Sequence, residues 1–410
     1  MCNKPRKVRH SVELADVFLQ HGDAYIEQHG VSSLQKKVMN AIGRCRTSVL
    51  GGHVTRCSCC NDEQIFYNSC RNRHCPKCQT LKQLRWLENR KAELLPVDYF
   101  HVVFTIPHEL NGIASYNPTL IYNLLFKAAW MTVDTLGRDK KRMDGQMGML
   151  AMLHTWGQTL TQHIHLHCMI PGGALCDIDL QKVWKNCQKG FVFPVKVAAS
   201  LFGKIFINLL KKEYQNQEIT FQGSISELSK PDKFGALCAL LRKKSWNVYA
   251  KPPFNGAEGG LTYLSRYISK AAISNERIIS CKDGKVTFKW RDYSDNNKSK
   301  IMTLDAFEFI RRYLQHVLPN KFMRVRSYGI LANTCKTKNI ELIRTQLTPN
   351  EKKVEISIEK ESSLDLILRL TGVDVGLCQR CKIGRLRTIL SIPSELSSPY
   401  QAERSYTDTS

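Results

Sequence analysis

The chain has 410 residues, 43% of them hydrophobic, which excludes a composition too polar to fold and allows two or three domains with a sizeable core. Lys and Arg total 60 against 36 Asp and Glu, a formal charge of +24 that points to a polyanionic partner bound in a salt-dependent way. The longest apolar stretches, such as residues 120–133, are interrupted by Asn123 and Lys127 and fall short of a membrane span, so nucleic acid rather than membrane is the expected partner. Residues 1–10 carry Lys4, Arg6, Lys7 and Arg9 with no apolar run after them. This does not resemble a secretory signal, and a cytoplasmic location is expected. The 16 cysteines, clustered at short metal-type spacings, therefore read as reduced thiolates rather than disulfides.

Taken in chain order, residues 11–45 show helical periodicity, with Leu14, Val17 and Phe18, then Leu34, Val38 and Ile42, and read as a small helical entry module. From 51 to 79 glycine, cysteine and basic residues dominate, the composition of a small domain organised by metal rather than by burial. Residues 81–95 are predicted helical. Residues 99–106, rich in β-branched and aromatic side chains and stopped by Pro107, form a buried strand, placed next to the histidine strand described below. Helices are expected at 119–136 and 201–214, and a strand at 149–156. A helix at 259–272, a strand at 285–290 and a helix at 305–317 follow. Acidic and serine-rich stretches appear from 351 to 365, and the last twenty residues are polar and expected to be disordered. Strands alternating with helices from 97 to 300 suit an α+β fold.

Three constellations carry chemistry. Cys57 and Cys60, then Cys75 and Cys78, make two CxxC knuckles that can present four sulfurs to one structural zinc. Cys59, Cys70 and His74 are also within reach of that site, and Arg71, Arg73, Lys77, Lys82 and Arg85 around it suit phosphate contacts. In the second, His163-Ile164-His165-Leu166-His167 runs on to Pro171-Gly172-Gly173 and reads as a metal-binding strand. Alternate residues share a face, so one neighbouring pair, His165 with His167, can hold a divalent cation while Leu166 packs behind. Histidine nitrogen suits a borderline transition ion, and with phosphate oxygen and water completing the shell Mg²⁺ or Mn²⁺ is compatible. His101, His154 and Gln158 are candidates for a third protein ligand. In the third, Tyr263 and Tyr267 stand four apart, on one face if helical, with Arg266 and Lys270 able to stabilise phenolate and phosphate. A weaker signal is Cys378-Gln379-Arg380-Cys381 with Gly384, half of a zinc ribbon without a clean second pair nearby. The sequence favours a pair that binds nothing, with Cys335 as one ligand if a second zinc exists.

These residues carry a family resemblance. His165-Leu166-His167 resembles the His-hydrophobic-His element of HUH endonucleases, and Tyr263 with Tyr267 resembles the tyrosine helix of their two-tyrosine branch. Gly51-Gly52-His53, Tyr67-Asn68-Ser69-Cys70, Arg73-His74-Cys75-Pro76, Phe104-Thr105-Ile106-Pro107, Ala272-Ile273-Ser274-Asn275, Trp290-Arg291-Asp292-Tyr293 and Tyr328-Gly329 with Ala332-Asn333 follow in order as in IS91-like rolling-circle insertion-sequence transposases. The resemblance spans roughly residues 30 to 340. It implies a central antiparallel sheet with packed helices, preceded by a small zinc-binding domain. It also implies cleavage and rejoining of single-stranded DNA, at element ends and target, through a 5′-phosphotyrosine. The catalytic residues would be Tyr263, Tyr267 and Lys270. His165 and His167 would hold catalytic Mg²⁺ or Mn²⁺, Cys57, Cys60, Cys75 and Cys78 structural Zn²⁺, and Arg71, Arg73, Lys77 and Arg266 would contact DNA.

The expected domains are a helical and zinc-binding DNA-binding domain at 1–95, the catalytic domain at 96–300, a helical extension at 301–345, and a variable, partly disordered tail at 346–410. A replication initiator or relaxase would use the same chemistry. A non-catalytic zinc-dependent DNA-binding regulator is the rival from another class, in which the tyrosines only pack.

Overall fold

A computed structural model of the protein describes residues 12–251, 271–349 and 361–396. At its centre lies a five-stranded antiparallel sheet. Its strands are β3 (Tyr99–Thr105), β5 (Gly148–Trp156), β6 (Gln162–Pro171), β9 (Asn247–Lys251) and β13 (Val325–Gly329), in the order β13-β5-β6-β3-β9. The alternation of β6 decides how the sheet is used. Ile164, Leu166, Cys168 and Ile170 face one side, where the helices α5 (Pro118–Gly137) and α6 (Val195–Gln215) cover them in the main core. Phe104 from β3 meets Phe202 from α6 edge to face, with ring centroids 5.1 Å apart. The opposite side of β6 carries His165, His167 and Met169. Met169 joins Tyr99, Leu150 and Met152 in a second cluster capped by Ile340 and Ile343 of a late helix, Lys336–Leu347. The histidines are thus left at the part of this face not filled by that apolar cap.

The expected strand at 99–106 does neighbour the histidine strand: Thr105 pairs with His165 and Val103 with His167. The N-terminal helices α1 (Leu14–His29) and α2 (Ser33–Gly43) do not stand apart as an entry module. Their apolar stripes, Leu14, Val17, Phe18, Val38 and Ile42, pack with Val286, Phe288, Phe309 and Tyr313 in a separate core. That core is built on a meander of three strands, β10 (Ile278–Lys282), β11 (Lys285–Asp292) and β12 (Lys298–Asp305), and on the helix Ala306–Leu314. Local chemistry fixes the helix starts. Ser32 and Gln35 form a reciprocal capping box for α2, and the Asp305 carboxylate accepts from the Phe307 amide at 2.8 Å.

Two smaller sheets complete the fold. One is β4 (Gly145–Gln146), β7 (Gly173–Ile178) and β8 (Gln181–Asn186). The other belongs to the cysteine-rich module, β1 (Gly52–Cys57) and β2 (Glu63–Tyr67), and takes its third strand, β14 (Leu386–Ile392), from the far end of the chain. The segment expected to lie in a variable tail is therefore, in part, a strand of the N-terminal module. Short cysteine-rich hairpins have little apolar surface of their own, and an extra strand supplies backbone partners that two strands lack. The last twenty residues fall largely outside the described ones. Among the described residues, no helix is long and apolar enough to cross a membrane.

His316 lies buried behind the sheet, with Nε2 3.0 Å from the Leu160 carbonyl and Nδ1 3.2 Å from the Thr155 hydroxyl. Burial pushes its pKa down to about 4, so it stays neutral in the fold. The unfolded chain takes up this proton near pH 6.5 and the folded one does not, so stability is complete above that value and is lost as pH falls below it. Unfolding free energy should therefore drop by about 2 kcal/mol from pH 7 to pH 5 on this account. Denaturant titrations of wild type and His316→Gln check it: equal pH slopes in the two proteins would remove His316 as the source.

Candidate metal centres

Eight of the cysteines gather into two groups of four, and neither is the tetrad expected from sequence. Cys45, Cys70, Cys75 and Cys78 form one, and Cys57, Cys60, Cys378 and Cys381 the other, with the sulfurs of each group within 4.8 Å of one another. The two knuckles expected to share an ion are in different groups. The reason is strand geometry: β1 and β2 carry Cys57 and Cys60 to the β14 end of their sheet, whereas Cys75 and Cys78 fold back on Cys45 at the end of α2. Cys45 lacks a CxxC partner of its own, which is why spacing alone passed over it.

In the first group, Cys78 Sγ lies 3.3 Å from Cys45 Sγ and 3.6 Å from Cys70 Sγ. Thiolates about 2.3 Å from one tetrahedral zinc stand about 3.8 Å apart, so the donor set fits the ion, while a disulfide needs about 2.05 Å. Cys75 is buried at the centre of this group and also packs with the α1–α2 core. His74, named as a possible ligand, is outside both groups; its backbone carbonyl instead accepts from Tyr313 Oη at 2.5 Å.

The basic residues of this module are placed differently from one another. Arg71 is exposed. Lys77 is ion-paired with Glu13. Arg73 is half-buried, and its guanidinium donates to the carbonyls of Phe322 at 2.7 Å and Pro319 at 2.6 Å, clamping the module onto the loop before β13. These bonds give Arg73 a bracing role within the fold beside the DNA contact expected of it. Arg73→Ala should cost about 2–3 kcal/mol of stability through orphaned carbonyls. Unchanged melting would contradict this placement. Arg266, Tyr263, Tyr267 and Lys270 lie outside the described residues.

The histidine face is the third cluster. His165 and His167 are joined by His154, and the three rings offer nitrogens within 4.8 Å of one another. His154 comes from β5, where it pairs across the strands with His165. The sequence named it among three candidates; cross-strand register, not spacing, selects it. Gln158 is elsewhere, donating to Tyr293 Oη at 2.9 Å. His101 takes a supporting position, with Nε2 2.9 Å from His167 Nδ1. His165 Nδ1 is 2.7 Å from the His163 carbonyl, to which only a ring N–H can donate, so the lone pair of His165 resides on Nε2. In the His167 tautomer that carries its proton on Nδ1, directed at His101, both Nε2 lone pairs would point to one place; the two Nε2 atoms are 3.1 Å apart. Nitrogens sharing one ion at about 2.1 Å stand roughly 3.0–3.4 Å apart.

Burial lowers the pKa of His165 to about 3, of His167 to about 2 and of His101 to about 4, so all three are neutral at pH 7, the form in which His165 and His167 can ligate. Trp156 stacks on His154 at 4.8 Å between centroids, and the partly buried Arg324 lies over that indole at 5.2 Å. Burial pulls the Arg324 guanidinium down to about 10, which still leaves it charged. Sequence reading missed this cation, since nothing in its neighbourhood marks it. The described chain leaves off at Lys251, paired with His101, and resumes at Ala271, which lines a small cavity with Trp156 and Arg324.

Comparison with known proteins places the chain in a family. A family described as "Putative transposase" matches residues 148–338, which hold the histidine strand, and one described as "Transposase zinc-binding domain" matches residues 17–106. "Putative transposase y4qJ" of Sinorhizobium fredii (strain NBRC 101917 / NGR234) is 42% identical over 382 residues, covering 93% of this chain and 96% of that one. "Transposase for insertion sequence element IS801" of Pseudomonas savastanoi pv. phaseolicola is 25% identical over 311 residues, covering 75% and 73%. No solved structure matches the chain. The class is thus a transposase with a zinc-binding domain. Within it, the chain belongs to the IS91-like family of insertion-sequence transposases.

Proposed function

We propose that this transposase cleaves and rejoins single-stranded DNA through a 5′-phosphotyrosine during rolling-circle transposition. The observation that carries the reading is the convergence of His154, His165 and His167 on the uncapped part of the central sheet, in a chain that also has Tyr263 and Tyr267. The three imidazoles would hold a divalent ion, which supplies Lewis-acid polarisation of the scissile phosphate. An all-nitrogen protein set suits Mn²⁺ better than Mg²⁺, whose preference is for oxygen, although DNA oxygens and water can complete either shell.

The phenolic oxygen of Tyr263 or Tyr267 attacks the phosphorus. The new bond joins tyrosine to the 5′-phosphate, the bond to the 3′-oxygen breaks, and that oxygen leaves as a free hydroxyl. The bond energy is kept, so a 3′-hydroxyl can reverse the step on a second strand without ATP. Lys270 and Arg266 are proposed to stabilise phenolate and phosphate, and Arg324, beside Trp156, adds positive charge near the histidines. Both described ends of the tyrosine segment, Lys251 and Ala271, adjoin the histidine face, which supports the tyrosines acting there. His101 orients His167, and outer partners of this kind typically change metal affinity 10–100-fold, so His101→Phe should weaken Mn²⁺ binding by about that factor. Calorimetric titration of Mn²⁺ into the variant checks this; an unchanged affinity would make His101 merely a packing residue.

The test of the reaction is incubation of the purified protein with labelled single-stranded DNA from the ends of its own element, with Mn²⁺ or Mg²⁺, followed by denaturing electrophoresis. A covalent protein–DNA band that is absent from the Tyr263→Phe, Tyr267→Phe double variant is the expected result. Folded protein that binds this DNA and never forms the band would instead make it a DNA-binding regulator.

A further inference from the structure

The family match to the zinc-binding domain ends at residue 106, and the transposase match ends at residue 338. Cys378 and Cys381 lie beyond both. From their position opposite Cys57 and Cys60, we propose a second structural zinc site, a ribbon split between the two ends of the chain and closed only when residues 372–396 dock on the N-terminal module.

Four observations carry it. The sulfurs pair across the two halves, Cys57 with Cys381 at 3.6 Å and Cys60 with Cys378 at 3.7 Å, close to the separation of about 3.8 Å for tetrahedral thiolates on zinc and far from a disulfide. Each half is a knuckle in which backbone amides turn toward sulfur. Cys59 N–H donates to Cys57 Sγ at 3.3 Å, and Gly384 N–H donates to Cys381 Sγ at 3.3 Å, the arrangement that stabilises a thiolate. The knuckles approach so closely that a Cβ on Gly384 would stand 2.4 Å from Cys57 Sγ and 2.6 Å from Cys59 Cβ. Glycine is required there by the opposing half rather than by its own turn. Finally, the two halves are laced by other contacts: Ser58 N–H donates to the Arg385 carbonyl at 2.9 Å, and Arg380 pairs with Asp62 at 3.1 Å.

The consequence is topological. β14 runs antiparallel to β1 from Gly52 opposite Ile392 to Cys57 opposite Leu386, and the ion would lock the end of that pairing. The helix Ser363–Thr371 is tied in as well, through Arg369 to Glu88 of the helix Thr80–Lys91 at 2.9 Å. A metal bound by residues 324 apart in sequence makes the C-terminal segment a part of the zinc-binding domain instead of an appendage.

Metal content of the full-length protein, purified with zinc and freed of loose ions, tests this. Counted in a His165→Ala, His167→Ala background that removes the histidine centre, the chain should carry two zinc ions, and Cys378→Ser with Cys381→Ser should carry one. Cys59→Ser should keep both, because that exposed thiol adjoins the site without belonging to it. Gly384→Val, which keeps all four donors, should also lose one ion. Should the double serine variant fail to fold, alkylation of the wild type followed by mass spectrometry decides the matter. Cys57, Cys60, Cys378 and Cys381 should resist modification together until a chelator is added, while Cys59 reacts at once. A double variant that retains both ions, or free alkylation of Cys378 and Cys381 in zinc-loaded wild type, would overturn the proposal.

Discussion

His165→Ala is expected to reduce formation of the covalent DNA adduct by about a thousandfold, with DNA affinity and melting temperature nearly unchanged. A metal acting as Lewis acid supplies several kcal/mol of transition-state stabilisation, and each factor of ten in rate corresponds to about 1.4 kcal/mol. Removing His165 leaves His154 and His167 at a site that lacks one of its three ligands. The fold should tolerate the change, because the strand is held on its other face by Ile164, Leu166 and Cys168 in the helix-covered core. Single-turnover cleavage at several Mn²⁺ concentrations is the measurement. Partial rescue at high Mn²⁺ would show that the ligand acts through the ion. Undiminished cleavage without rescue would mean that this cluster is not the catalytic one.

A second large effect is expected at Cys75. Cys75→Ser should release the zinc held by Cys45, Cys70 and Cys78 and lower the melting temperature by about 10 °C. Structural zinc in small modules binds with about 10–16 kcal/mol of apparent free energy, a part of which is folding free energy, and in a chain of this kind about 3–5 kcal/mol corresponds to that shift. Cys75 is also buried against the α1–α2 core, so its loss should loosen those helices as well as the knuckle. Metal analysis with calorimetry checks both parts. The outcome separates the two cysteine groups, since loss of Cys75 should spare the ion assigned to Cys57 and Cys378, and equal loss of both ions would mean a single, interdependent metal cluster.

The main elements of the fold were legible because their signals are local. A period of two with histidines on one face and Ile164, Leu166 and Cys168 on the other marks β6 without any knowledge of its neighbours. β-branched and aromatic residues ending at Pro107 mark β3, and the stripes Leu14, Val17, Phe18 and Val38, Ile42 mark the first two helices. The basic surplus and the order of motifs pointed to the transposase family that the comparisons then supplied.

Ligand partnership was not legible. A CxxC knuckle shows that two sulfurs will share a metal, but it does not carry the address of the other two. Spacing suggested the nearest knuckle, Cys75 with Cys78; the pairing of β1 with β14 brings Cys378 and Cys381 instead, and the end of α2 brings Cys45 to the other group. His154 was selected from its rivals in the same way, by standing opposite His165 across two strands. Arg73 shows the same limit, since its charge suggested phosphate and nothing local announced the backbone carbonyls it also meets. By itself the sequence determined which residues can ligate, which faces are apolar and what family the chain joins, because each depends on side-chain identity and periodicity within one element. Which donors meet, and whether a cation reaches solvent or a carbonyl, was decided only by tertiary structure, because those depend on the registers and packing of segments hundreds of residues apart.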